Sequence, residues 1–125
     1  MKKIYNAPEA LEVLLNAQDV ITLSTGSNVI VEAEGKKLYF SGDTLFDERL
    51  FEIASYKPDV TFICINGKLG NMNVNEALVT AKKIGAKINV PTHYDMFASN
   101  TENPLLFSEN IEGSLVLEAG NEYEF

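Results

Sequence analysis

Apolar and polar positions alternate along this chain in two distinct rhythms, and the change between them lays out the elements. Pro8 and the following EALEVLLNAQ carry Leu11, Leu14 and Leu15 at helical spacing, with Glu9 in the first turn, and predict an opening helix. Short β-type runs follow at Val20 to Leu23, Asn28 to Ala33 and Lys37 to Phe40. Gly26-Ser27 and Glu34-Gly35 between them predict the turns of an antiparallel meander. Phe46, Leu50, Ile53 and Ala54 restore the helical period, and Lys57-Pro58 stops it before the β-branched run VTFICI. The loop NGKLGNMN leads to a helix over Val74 to Ile84, with Asn73 and Glu76 spaced as a capping box and Gly85 as its stop. A strand over Lys87 to Val90 comes next, and Leu115 to Leu117 with Tyr123 to Phe125 predict a closing hairpin. The central order of strand, helix, strand, helix, strand predicts one α/β domain over residues 1–125, a mixed sheet with helices packed on it.

Composition narrows the function classes. With 125 residues and 46% hydrophobic content, the chain can bury one core and is short for two. A net charge of -8, with ten scattered basic residues, argues against nucleic acid and against anionic membrane surfaces. The one cysteine, Cys64, lies inside an apolar run and has no partner for an intrachain disulfide, which suits a reducing compartment. Neither a signal-peptide pattern nor a membrane-length apolar run is present, so the expected location is cytoplasmic.

Candidate chemistry gathers at two strand ends. Asp43 in the turn SGDT follows the run KKLYF, where a carboxylate either faces a crevice beyond the sheet or caps the next helix. The one histidine, His93, stands two residues after Pro91, and by pattern alone is either a hydrogen-bonded edge residue or a metal ligand. The loop Asn66 to Asn73 offers backbone N–H groups and a helix start without any phosphate-loop pattern, and its glycines fit a plain turn equally well. Tyr94, Asp95 and Asn100 fit either a polar ligand site or a capped surface loop.

Taken in order, LYFSGDTLFDERLF, then DVTFICINGKLGNMNVNEALVTAKKIGAK, then NVPTHYDMFASNTENP resemble the C-terminal half of metallo-β-lactamase-fold hydrolases, specifically the ascorbate-6-phosphate lactonase-like group. The resemblance implies half of an αβ/βα sandwich, with helices on one face of the sheet. It also implies a site for one or two metals at the sheet edge, zinc or manganese, with Asp43 and His93 as ligands. It further implies a polar or phosphorylated substrate near Asn66, Gly67, Asn71, Asn73, Tyr94 and Asp95. The family's H-x-H-x-D-H motif has no counterpart here, so any metal is expected to be weakly bound or absent and a lone monomer inactive. A sheet lacking its partner layer is expected to leave Val60, Phe62, Ile63 and Ile65 under-covered, and to pair as a homodimer or with a complementing N-terminal half. Two functions stay open: a half-length metal-dependent hydrolase, and a non-catalytic remnant or interaction module.

Overall fold

The computed structural model describes residues 11–13, 28–95 and 97–125. Five strands form one sheet in sequence order: β1 (Leu11–Val13), β2 (Val29–Ala33), β3 (Lys36–Phe40), β4 (Val60–Cys64) and β5 (Ile88–Thr92). The first three are antiparallel neighbours, and β3, β4 and β5 run parallel, so the expected mixed sheet is present. Glu34 and Gly35 turn the β2–β3 hairpin with φ of 50° and 75°, the left-handed pair that matches strand twist.

Crossovers between the parallel strands are helical. A 3-10 helix (Glu48–Tyr56) joins β3 to β4, capped by the Asp47 carboxylate on the Arg49 N–H and ended by Lys57 in a left-handed conformation. The helix α1 (Val74–Ile84) joins β4 to β5; its capping box of Asn73 and Glu76 and its left-handed Gly85 fall where the sequence puts them. A short helix, α2 (Leu105–Ser108), precedes the C-terminal segment.

Strand alternation divides the core. Ile30, Tyr39, Thr61 and Ile63 occupy one face, all of them 3% exposed or less, with Ile53 and Ile84 of the helices packed on Ile30 and Tyr39. Ile63 and Ile65 join Leu50, Met72, Ala77, Ala81 and Phe107 in the main core. The opposite face carries Val29, Val31, Leu38, Phe40, Val60, Phe62, Ile88 and Val90 by register, an apolar row in which Phe40 stacks on Phe62 at 4.4 Å. Phe125 of the C-terminal segment sets its edge against Phe62, with ring centroids 5.8 Å apart.

Three expectations change. Leu11–Val13 is a strand, paired Leu11 to Glu32 and Val13 to Ile30, because the β2 edge supplies backbone partners that outweigh a short helical pattern. The rest of that expected helix and the run Val20 to Leu23 lie outside the described residues. The segment 115–125 is not a hairpin: Leu115 donates to the Asn89 carbonyl at 3.0 Å, Val116 and Leu117 line a cleft beside β5, and Phe125 sets against Phe62 of the sheet. Val60, Ile63 and Ile65 are fully buried, so the under-covered surface is narrower than expected and centres on Phe40 and Phe62, both half-buried. Among the described residues no helix is long and apolar enough to cross a membrane.

Candidate metal half-site and its cleft

Asp43 is presented by a turn that is pinned on both sides. The Ser41 N–H prolongs the parallel ladder to the Phe62 carbonyl at 2.9 Å, and the Ser41 hydroxyl accepts the Cys64 N–H at 3.0 Å. Gly42 takes a φ of 56°, which turns the chain sharply at no side-chain cost. Beyond Asp43, the Thr44 hydroxyl donates to the Ser41 carbonyl and the Thr44 N–H to the Asn71 side-chain oxygen at 3.1 Å. The Thr44 carbonyl accepts the Met72 N–H at 2.8 Å. Asp43 therefore caps no helix; Asp47 does that.

His93 comes from the next strand but one. The Thr92 carbonyl accepts the Ile65 N–H at 3.1 Å, which fixes the end of β5 beside the end of β4. The chain then bends through His93 with φ of 60° and Asp95 with φ of 54°, conformations that cost a non-glycine residue on the order of 1–3 kcal/mol each and concentrate at functional sites. That bend brings His93 Nδ1 to 3.1 Å from Asp43 Oδ1, although the two residues are fifty positions apart in sequence. The Asp43 side chain is 53% exposed and that of His93 27% exposed, while the Nδ1 atom that faces Asp43 is itself buried.

Tyr94 and Asp95 stand with His93 along a cleft of about 690 Å³. Tyr94 donates its hydroxyl to the Leu117 carbonyl at 3.0 Å; burial raises its pKa, helped by the Asp95 and Tyr123 charges. Asp95 accepts the Thr101 hydroxyl at 3.0 Å, closing its own loop. The other candidates make bonds within the scaffold, and the Asn66 side-chain oxygen is buried without a hydrogen-bond partner. Asn66 is buried and donates to the Asn100 side chain at 2.7 Å, Asn71 holds Thr44, and Asn73 caps α1. Gly67 donates its N–H to the Met72 carbonyl, and a Cβ there would come within 3.0 Å of Asn73 Cβ. Sequence reasoning missed the far wall of the cleft, Val116, Leu117 and Glu118, because it read that stretch as a hairpin.

The donor chemistry is that of half a metal site. Two ligands each about 2.0–2.2 Å from one ion stand roughly 3 Å apart, so the Asp43–His93 separation suits joint ligation. Their number does not: among the described residues no group of three His, Cys, Asp or Glu side chains could hold a metal. The sequence has no second histidine, and Cys64 is buried, its thiol pKa pushed up chiefly by that burial. These residues do not by themselves fit a hydrolytic metal centre, which needs at least three protein ligands.

No family model matches the chain. A UPF0173 metal-dependent hydrolase from Enterococcus faecalis is 34% identical over 99 residues, an alignment covering 78% of this chain and 44% of that protein. A metallo hydrolase from the hyperthermophilic archaeon Ignicoccus hospitalis superposes with a TM-score of 0.70 at 27% identity, over 79% of this chain and 46% of that one. The metallo-β-lactamase fold protein YhfI from Bacillus subtilis superposes at 0.65 with 19% identity, over 85% of this chain and 47% of that one. The fold is that of the metallo-β-lactamases, and the homologues are metal-dependent hydrolases. The chain spans less than half the length of each of these three proteins.

Proposed function

We propose that this chain supplies one half of a metal-dependent hydrolase centre of the lactonase-like kind, with Asp43 and His93 as two of its ligands for zinc or manganese. The observation that carries the reading is the 3.1 Å approach of Asp43 Oδ1 to His93 Nδ1 at the carboxyl ends of β3 and β5. The remaining ligands come from a second copy of the chain or from a complementing polypeptide that carries the histidine-rich half. The apolar row on the face opposite the described helices supports such a partner, since a sheet in a two-layered sandwich buries that face against another layer. Hydrolysis here means net addition of water across a carboxylic ester bond, yielding the acid and the alcohol.

Metal analysis after dialysis against zinc or manganese, together with sedimentation, tests this reading. Pairing in a homodimer predicts one ion for every two chains and a dimer stabilised by metal; His93→Ala is expected to lose the metal. Binding that is unchanged in His93→Ala refutes the assignment. A second reading is favoured by the shortage of donors among the described residues: a non-catalytic module that retains the fold. It requires a hydrolysis screen over lactones and phosphodiesters to stay blank with either metal even when the chain is paired.

A further inference from the structure

We propose that the segment 118–125 is a displaceable strap: it lies on the apolar row of the sheet and keeps a second copy of this chain from covering that row. The inference rests on the reading that another layer pairs with this face, and it adds the contact that regulates the pairing. The root of the segment belongs to the sheet. Near the start of β5, Asn89 donates its N–H to the Gly113 carbonyl at 2.9 Å and accepts the Leu115 N–H at 3.0 Å, a parallel extension of the sheet edge. The Tyr94 hydroxyl then holds the Leu117 carbonyl at 3.0 Å. Beyond Leu117 the hydrogen bonds turn inward. The Glu118 N–H is received by the Tyr123 hydroxyl at 2.9 Å, and Asn121 returns to the Glu118 carbonyl and carboxylate at 3.3 and 3.1 Å. These bonds shape the strap without tying it to the sheet.

Its hold on the sheet is aromatic. Phe125 sets its ring edge against Phe62, centroids 5.8 Å apart and planes at 83°, and Phe62 in turn stacks on Phe40 at 4.4 Å. Phe40 and Phe62 stay half-buried with the strap in place. Near the root, Phe62 and Val90 of the sheet and Val116, Leu117, Glu118 and Ala119 of the segment all line a cleft of about 690 Å³. Such a gap forfeits the close atomic contacts that hold packed layers together. Glu118, Glu122 and Glu124 are exposed, so the strap carries its charge in water. One aromatic anchor beside an open cleft is a contact that a closer-packed layer displaces. A second copy offers that layer, since it presents the same Phe40 and Phe62 and the two rows can meet about a two-fold axis. Each copy must release its own strap, so the open fraction enters the pairing equilibrium twice.

The test is sedimentation equilibrium of the full chain in the presence of a chelator, on the parent, Phe125→Ala, Phe125→Leu and the double variant Phe62→Ala/Phe125→Ala. An edge-on aromatic pair is worth about two- to tenfold in an equilibrium constant, so Phe125→Ala is expected to tighten dimerisation about five- to a hundredfold, the gain being counted once per copy. Phe125→Leu keeps apolar bulk without the ring edge and is expected to fall between. The double variant is expected to lose the gain, because the row that the second copy covers then lacks its central ring. Unchanged or weaker pairing in Phe125→Ala and Phe125→Leu overturns the proposal, as does a parent and variant set that stays monomeric. Particles larger than a dimer, or a gain that persists in the double variant, also overturn it, since the exposed face is then merely sticky. Circular dichroism checks that each variant keeps its sheet; if Phe125→Ala unfolds, Phe125→Leu decides by the same criteria. Because no metal enters this measurement, its failure leaves the zinc result for His93→Ala untouched, and the converse also holds.

Discussion

Replacing Asn71 by alanine removes the side-chain amide whose oxygen holds the Asp43 turn, and the cost can be worked from its surroundings. Asn71 is 6% exposed and Thr44 2% exposed, and the Asn71 side-chain oxygen accepts the Thr44 N–H at 3.1 Å. Without that acceptor the Thr44 amide is left buried and unpaired, a penalty of about 1–3 kcal/mol. The neighbouring Asn73→Ala gives the control, since it strips the α1 cap and costs about 1 kcal/mol by a route that does not touch the turn. Urea unfolding followed by circular dichroism at neutral pH reads both losses as shifts in midpoint at constant slope. On the proposed assignment of Asp43 as a metal ligand, zinc binding separates the two variants further. Loss of a group that orients a ligand typically weakens metal affinity about 10–100-fold, so Asn71→Ala should bind zinc at least about tenfold more weakly while Asn73→Ala binds it as the parent does. A shift below about 0.5 kcal/mol in Asn71→Ala, the range of ordinary surface changes, refutes the strut. Equal zinc affinities in the two variants refute its connection to Asp43.

Other parts of the molecule give sharper local expectations. Gly113 has φ of 67°, and a Cβ there would lie 1.9 Å from the Lys87 carbonyl oxygen, so Gly113→Ala should destabilise by on the order of 1–3 kcal/mol or more and perturb β5 amides from Asn89 onward in an NMR spectrum. Cys64, buried with its thiol pKa raised, should react with an aromatic disulfide reagent only after unfolding; fast labelling of the native chain contradicts the placement of β4. The Arg49 guanidinium beside Asp47 holds that carboxyl at about 2, below its ordinary 3.8. The linked stabilisation is therefore complete above pH 4 and is lost as pH falls through 2, and a carboxyl carbon titration giving Asp47 an ordinary midpoint would exclude the bidentate pair.

What could be read from the chain depended on how local the deciding chemistry was. The ends of α1 were legible because Asn73, Glu76 and Gly85 act on backbone groups within one turn of themselves. The strand at Leu11–Val13 was not, because its conformation is decided by the edge of β2 roughly twenty residues further along. The C-terminal stretch misled for a related reason: Val116, Leu117 and Phe125 carry strand-like composition, but Phe125 meets Phe62 of the sheet and Val116 and Leu117 line the cleft, so they do not pair with each other. Four asparagine or glycine candidates looked alike in sequence, since an asparagine that caps, one that props a turn and one that meets a ligand carry the same signature. Only three-dimensional placement separates Asn71 from Asn73.

The meeting of Asp43 with His93 belongs to a third category, in which neither periodicity nor spacing could place two residues fifty positions apart and only the resemblance of ordered motifs did. Its physical basis is the parallel arrangement of β3, β4 and β5, which brings the chain that leaves each strand to the same edge of the sheet. The same strand, β5, lends Val90 to the cleft and ends one residue before His93, so the cleft and the ligand pair share one support. The parallel strands hold this pair together even though the described residues are short of a complete metal ligand set. The Asp43–His93 edge thus gathers two donors in the isolated chain, and the proposal that it is half of a metal site stands or falls on whether zinc is held there and lost in His93→Ala.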